Sequence, residues 1–107
     1  MARALVNLVP PAPKRGEIVE IRTLIAHPME TGQRSDGRGG LVPRDIIRRI
    51  ECRYDGTLVF AADLYAAIAA NPLVSFSTLA VASGTLTVTW TGDNGFAQTE
   101  TVALTVA

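Results

Sequence analysis

The stretch Gly84-Thr85-Leu86-Thr87-Val88-Thr89-Trp90-Thr91-Gly92-Asp93-Asn94-Gly95 decides the fold. Leu86, Val88 and Trp90 alternate with Thr85, Thr87, Thr89 and Thr91. A period of two in which one parity is apolar and the other hydroxylated describes a strand with one face in a core and one in water. Turn residues bracket it: Ser83-Gly84 before, and Gly92-Asp93-Asn94-Gly95 after. The flanking apolar segments Leu73–Ala82 and Phe96–Val106 therefore read as antiparallel neighbours. In the second of these, Val102, Leu104 and Val106 share one face, and Ala97, Thr99 and Thr101 lie on the other.

The same reading extends upstream. Asp55-Gly56 between Tyr54 and Thr57 predicts a tight hairpin, because a type I′ turn needs positive φ at both central residues. Before it, Ile46 to Tyr54 reads as a strand whose core parity is Ile46, Ile50, Cys52 and Tyr54, with Ile47, Arg49, Glu51 and Arg53 on the other side. After it, Leu58, Phe60, Ala62 and Leu64 form the apolar parity of the returning strand. From Ile18 to His27, Val19, Ile21, Thr23 and Ile25 face one way, and Glu20 and Arg22 the other. Leu24 breaks that alternation and predicts cover on both faces at this end. Leu5-Val6-Asn7-Leu8-Val9, stopped by Pro10, Pro11 and Pro13, is an edge strand or arm. Ala61 to Asn71 predicts a crossover between sheets with one turn of helix, Asp63 serving as N-cap and Pro72 ending it. Six to seven short antiparallel strands around one tryptophan predict an all-β, immunoglobulin-like β-sandwich. An up-and-down barrel is the alternative.

Length fits one domain over residues 1–107. The single cysteine excludes an internal disulfide and any all-cysteine metal site. No apolar run reaches the roughly 18 residues of a membrane span. The start, Met1 to Pro10, has no apolar signal region, so the chain alone predicts no export. Net charge is zero but unevenly placed. All ten Lys and Arg lie within residues 1–53, against six acids there, and residues 54–107 carry only four acids. The halves are thus +4 and −4. This marks either a steering surface for an anionic partner or two halves whose charges interleave on folding. A neutral chain with few aromatics argues against nucleic-acid binding.

Chemistry-bearing residues concentrate in a long loop over residues 28–45 and its flanks. His27 has no Ser or Cys placed beside it as a nucleophile, so it reads as a loop anchor rather than a catalytic base. Gly37, Gly39 and Gly40 with Arg34, Arg38 and Arg44 can cradle an anion, although no phosphate-loop spacing accompanies them and a solvated loop is the plainer reading. Asp93-Asn94-Gly95 reads as a turn, since it lacks the further ligands of a calcium loop. Cys52 sits on the core parity and predicts a buried thiol; an inter-chain disulfide or a reactive thiol is the other reading. No cofactor motif and no catalytic constellation emerge. The residues describe a binding module.

Two segments, taken together, point further. The first is His27-Pro28-Met29-Glu30-Thr31-Gly32, continuing through Gly40-Leu41-Val42-Pro43-Arg44-Asp45-Ile46-Ile47 to Cys52. The second is Ala69-Ala70-Asn71-Pro72, Ser75-Phe76 and Gly84 through Gly95. In these the chain resembles the SoxZ family, the smaller subunits of the SoxYZ sulfur-carrier complex of the thiosulfate-oxidising Sox system. The resemblance implies a non-enzymatic partner of SoxY, which carries sulfur intermediates on a cysteine in a Gly-rich C-terminal tail. This chain ends Thr105-Val106-Ala107 without a cysteine. The resemblance also implies a periplasmic location, reached by export with a signal-bearing SoxY. His27, Met29, Arg34, Arg38, Arg44 and Ile46 are then the candidate partner-binding residues, with other Sox enzymes as transient partners. A thiol sulfurtransferase using Cys52 and a generic immunoglobulin-like interaction module are the competing functions.

Overall fold

In the computed structural model, which describes residues 3–107, the alternating segments become seven strands. They are β1 (Ala4–Val9), β2 (Ile18–Ile25), β3 (Ile47–Tyr54), β4 (Thr57–Asp63), β5 (Leu73–Leu79), β6 (Gly84–Gly92) and β7 (Ala97–Leu104). All pair antiparallel, in a three-stranded sheet ordered β1-β2-β5 and a four-stranded sheet ordered β4-β3-β6-β7. The two sheets form an immunoglobulin-like sandwich.

Each strand gives one parity to the space between the sheets. Val19, Ile21, Thr23 and Ile25 of β2 face Ile50 and Cys52 of β3 and Leu86, Val88 and Trp90 of β6 across a closed core. Thr23, the one hydroxyl among the inward residues of β2, donates to the Val74 carbonyl oxygen at 2.7 Å, so its burial leaves no polar atom unpaired. The Asp55-Gly56 hairpin has the positive φ values that the turn demands, +48° and +85°.

Four local expectations are corrected. Ile47 is fully buried, because a register shift between Ile47 and Arg49 changes the parity of the strand and lets Ile47 point inward together with Ile50; Ile46, just ahead of the strand, is buried as well. A second shift between Cys52 and Arg53 sets Leu58 opposite Arg53 and Phe60 opposite Cys52. The extra residue, Val59, packs against the core, and Leu58 turns out to 44% exposure. Leu24 is exposed rather than covered on both faces. The crossover holds no helix, only one turn closed by Ile68 N–H on the Tyr65 carbonyl at 3.0 Å. Asp63 cannot cap a helix there, since it ends β4 and its carboxylate accepts from Arg49 at 2.9 Å.

Tyr54 fastens the sheets together at one end. Its hydroxyl accepts from the Val81 and Ala82 amides at 3.3 and 3.1 Å and donates to the Ala82 carbonyl oxygen. Removing that hydroxyl strands three backbone groups of the β5–β6 turn. Tyr54→Phe is expected to cost about 1 kcal/mol, lowering the urea midpoint with an unchanged slope. A wild-type midpoint would show that water serves the turn equally well.

Candidate functional site: the long loop and its anchor

The inward parity of β2 does not stop at the strand's end. His27 and Met29 continue it, and both are buried, at 5% and 4% exposure. His27 is held from every side. Its backbone N–H donates to Asn71 Oδ1 at 2.9 Å, and its carbonyl accepts from Asn71 N–H at 2.8 Å. Its Nδ1 accepts from the Met29 amide at 3.0 Å, which leaves the proton on Nε2, 3.7 Å from Asp45 Oδ1. Phe96 packs edge-on against the ring, with centroids 4.9 Å apart. Met29 carries a positive φ of 49°, and its sulfur accepts from the Ile47 amide at 3.2 Å. The outgoing and returning legs of the loop are thereby joined at their base.

The returning leg is fixed by one carboxylate. Asp93, in the short 3-10 turn Asp93–Gly95, accepts from Arg44 Nε at 2.8 Å and Arg44 Nη2 at 2.9 Å, and from the Ile46 amide at 3.2 Å. Its own N–H donates to the Ile46 carbonyl at 2.9 Å. The bidentate Arg44 contact holds the Asp93 carboxyl below the ordinary value of 3.8. Gly92 lets the legs meet, since a Cβ there would stand 2.4 Å from the Ile46 carbonyl oxygen.

Beyond this clasp the loop is a narrow ribbon. Glu30 and Asp45 exchange backbone hydrogen bonds of 2.7 and 2.8 Å, and Ser35 and Leu41 form a second bridge. At its tip, Asp36 Oδ1 accepts from the Arg38 and Gly40 amides at 2.7 and 3.1 Å. The glycine-rich tip does cradle an anion, but the anion is the chain's own carboxylate. Arg34 pairs with Glu30 at 2.7 Å, whereas Arg38 is exposed with no side-chain bond among the described residues.

The candidate residues therefore separate. His27, Met29 and Ile46 lie in the interior and present almost no surface to a partner. Arg34, Arg38 and Arg44 lie outside, Arg44 committed to Asp93. Cys52 is fully buried at the centre of β3, and desolvation pushes its thiol up to about 11. Among the described residues no cluster of three or more His, Cys, Asp or Glu is placed to hold a metal. Asn71 and Asp93 were missed as anchors. Asp93 carried a usable signal: it is the only charged residue between Asp63 and Glu100. Asn71 carried none beyond its place before Pro72.

Two measurements check this geometry. Because the folded Asp93 carboxyl titrates below its unfolded value, its contribution to stability is complete above about pH 4 and disappears as pH falls through the lowered value. The stability gap between wild type and Asp93→Asn should be widest near neutrality and close in acid; a gap independent of pH refutes the clasp. Cys52 should resist a thiol-labelling reagent at pH 8, with roughly a hundredfold less thiolate than an unperturbed cysteine, and react once urea unfolds the chain. Fast native-state labelling would show an accessible thiol.

Comparison with known proteins adds what geometry cannot. No match emerges among the curated proteins. Among solved structures, superoxide reductase (neelaredoxin) from Ignicoccus hospitalis superimposes with a TM-score of 0.72 at 16% identity, covering 97% of this chain and 80% of that one. Two of its variants match alike, with TM-scores of 0.72. At that identity the likeness is one of fold. The family described as "Sulphur oxidation protein SoxZ" matches residues 6–103, nearly the whole chain, and the protein belongs to the SoxZ family of the Sox sulfur-oxidation system.

Proposed function

We propose that the protein is the scaffold subunit that binds the carrier SoxY and helps to present its cysteine-bound sulfur intermediates to the other Sox enzymes. It performs no chemistry of its own. Family membership supports the pathway, and one structural observation supports the docking role. On one side of the sandwich β1 approaches β7 without pairing with it. On the other side, β4 and β5 each pair with only one neighbour. Neither strand carries a charge between Thr57 and Ala62 or between Leu73 and Leu79. Soluble proteins usually protect such edges with charge or proline, and an unprotected pair is a template for another chain.

The surface beside this edge is apolar too. On the outer face of the three-stranded sheet the register aligns Leu5, Leu24 and Leu73 in one row, and sets Ile18 beside Leu79 at the far end. All five side chains are exposed. A monomer gains nothing from a leucine row in water, whereas a partner that pairs along β5 and lays its own apolar surface over this face covers it. The long loop, held rigid at its base, then stands clear of this surface to meet the oxidising enzymes, with Arg34 and Arg38 facing solvent. Export into the periplasm with a signal-bearing SoxY completes the reading. The sulfurtransferase alternative loses its support with Cys52 buried.

Co-purification decides it. The wild-type chain should elute in a one-to-one complex with a SoxY-type chain ending in a Gly-Cys-Gly motif. Leu24→Glu with Leu73→Glu should weaken that association by a factor on the order of 10² without changing the far-UV spectrum, because two carboxylates would be buried unpaired. Absence of any complex removes the proposal, and unaltered binding by the double variant removes this surface from it.

A further inference from the structure

A cleft of about 490 Å³ opens where the ends of β3, β4 and β6 meet the returning leg of the loop. Arg44, Arg48 and Arg49 converge on it, with Thr91, Tyr65 and Leu64 completing the walls used here. The three guanidinium groups are not equally free. Arg49 is spent on Glu51 and Asp63, both at 2.9 Å. Arg44 gives Nε and Nη2 to Asp93, keeping Nη1. Arg48 is exposed and has no side-chain hydrogen bond or ion pair among the described residues. Glu51, Asp63 and Asp93 bring the cleft as a whole close to neutral, and Asp93 also feels the Arg48 charge, but Arg48 alone of the three arginines has no direct carboxylate partner among the described residues. Beside it, Thr91 and Tyr65 are exposed, and neither hydroxyl is bonded to another described residue. Buried Leu64 supplies an apolar floor.

A planar guanidinium presents two parallel donors at the spacing of two oxygens on a tetrahedral oxoanion, and hydroxyl donors fill the third direction. A bare, strongly hydrated ion has no use for the leucine. An oxoanion bearing a soft or apolar substituent uses both halves of the cleft. We propose that this cleft is a binding subsite for a sulfonate-type group, –SO3⁻ joined to sulfur or carbon, with Arg48 as its principal ligand, Arg44 Nη1 and the Thr91 hydroxyl as further donors, and Leu64 against the substituent. The source of the group rests on the function proposed above: it is the oxidised end of an adduct on the carrier's arm. Free thiosulfate offers the same chemistry.

The full-length chain, labelled on its arginine side-chain nitrogens, is titrated with thiosulfate, sulfate and chloride at constant ionic strength. Thiosulfate should produce a saturable shift of the Arg48 Nε–H resonance, sulfate a weaker one, and chloride none. Arg48→Gln should reduce the affinity for thiosulfate about tenfold, the loss of a charge-assisted pair, while Arg15→Gln on the distant turn leaves it unchanged. Equal shifts with chloride, or wild-type affinity in Arg48→Gln, overturn the subsite. The source is read in the complex whose carrier cysteine bears a thiosulfonate. An Arg48 shift without added anion assigns the group to the arm, and a shift only with free thiosulfate overturns that assignment. If no complex forms, the scaffold function fails, and the titration of the chain alone still decides the subsite.

Discussion

One constraint governs the rest: two sheets with no covalent tie must share a core built from a single parity of each strand. Each aliphatic or aromatic side chain fully removed from water contributes about 1.5–3 kcal/mol. Trp90, Ile21, Ile25, Ile50, Leu86 and Leu104 are all removed in this way. Cys52 belongs to that set as a small hydrophobe, filling space opposite Phe60 in a position where a reactive thiol would be no use. The stacked rings of Phe60 and Phe76, 4.1 Å apart, carry the same packing across the β4–β5 side of the sandwich.

The loop inherits its rigidity from this core. Because the inward parity of β2 runs on through His27 and Met29, the first leg leaves the sheets already anchored inside them. Asp93 then fixes the second leg through a side-chain fork and two backbone bonds. Arg44–Asp93 and Arg49–Asp63 each join a base from the first half of the sequence to an acid from the second. The charge asymmetry of the sequence is therefore in part the record of which strands come together. Exposed pairs of this kind add little to stability singly. Their effect here is positional, since they set where the loop stands relative to β6.

Most of the sandwich was legible because period-two alternation and turn chemistry are local signals. β6 reads cleanly since threonine and apolar residues never miss a beat between Thr85 and Thr91, and Asp55-Gly56 names its own turn. The errors at Ile47 and Leu58 share a different cause. Bulges are set by pairing with a neighbouring strand, and nothing within β3 or β4 alone announces that a residue will be skipped. The candidate site suffered more. His27, Met29 and Ile46 stand out in the sequence because their residue types can do chemistry, yet burial assigns them to holding the loop. Asp36 occupies the glycine nest that the arginines suggested for a ligand, a competition between intramolecular and foreign anion that spacing cannot reveal.

The two sides of the sandwich differ in how they treat their free edges, and the difference bears on function. β1 runs out into Pro10, Pro11 and Pro13 and is backed by β7, with Ala107 N–H donating to the Pro13 carbonyl at 2.9 Å. Proline offers no donor to an incoming strand, so pairing along this edge stops beyond Val9. β4 and β5 carry no proline along their paired length, and β5 borders the exposed leucine row. An edge left open in water carries an aggregation risk, and it persists most economically where another chain covers it. The scaffold function proposed above asks for one side that accepts a partner and a stiff projection whose position is fixed relative to it. The clasp at Asp93 couples the projection to β6, which joins the two halves of the four-stranded sheet, so under the proposed function a partner held at β5 and an enzyme met by the loop would be registered through one continuous core.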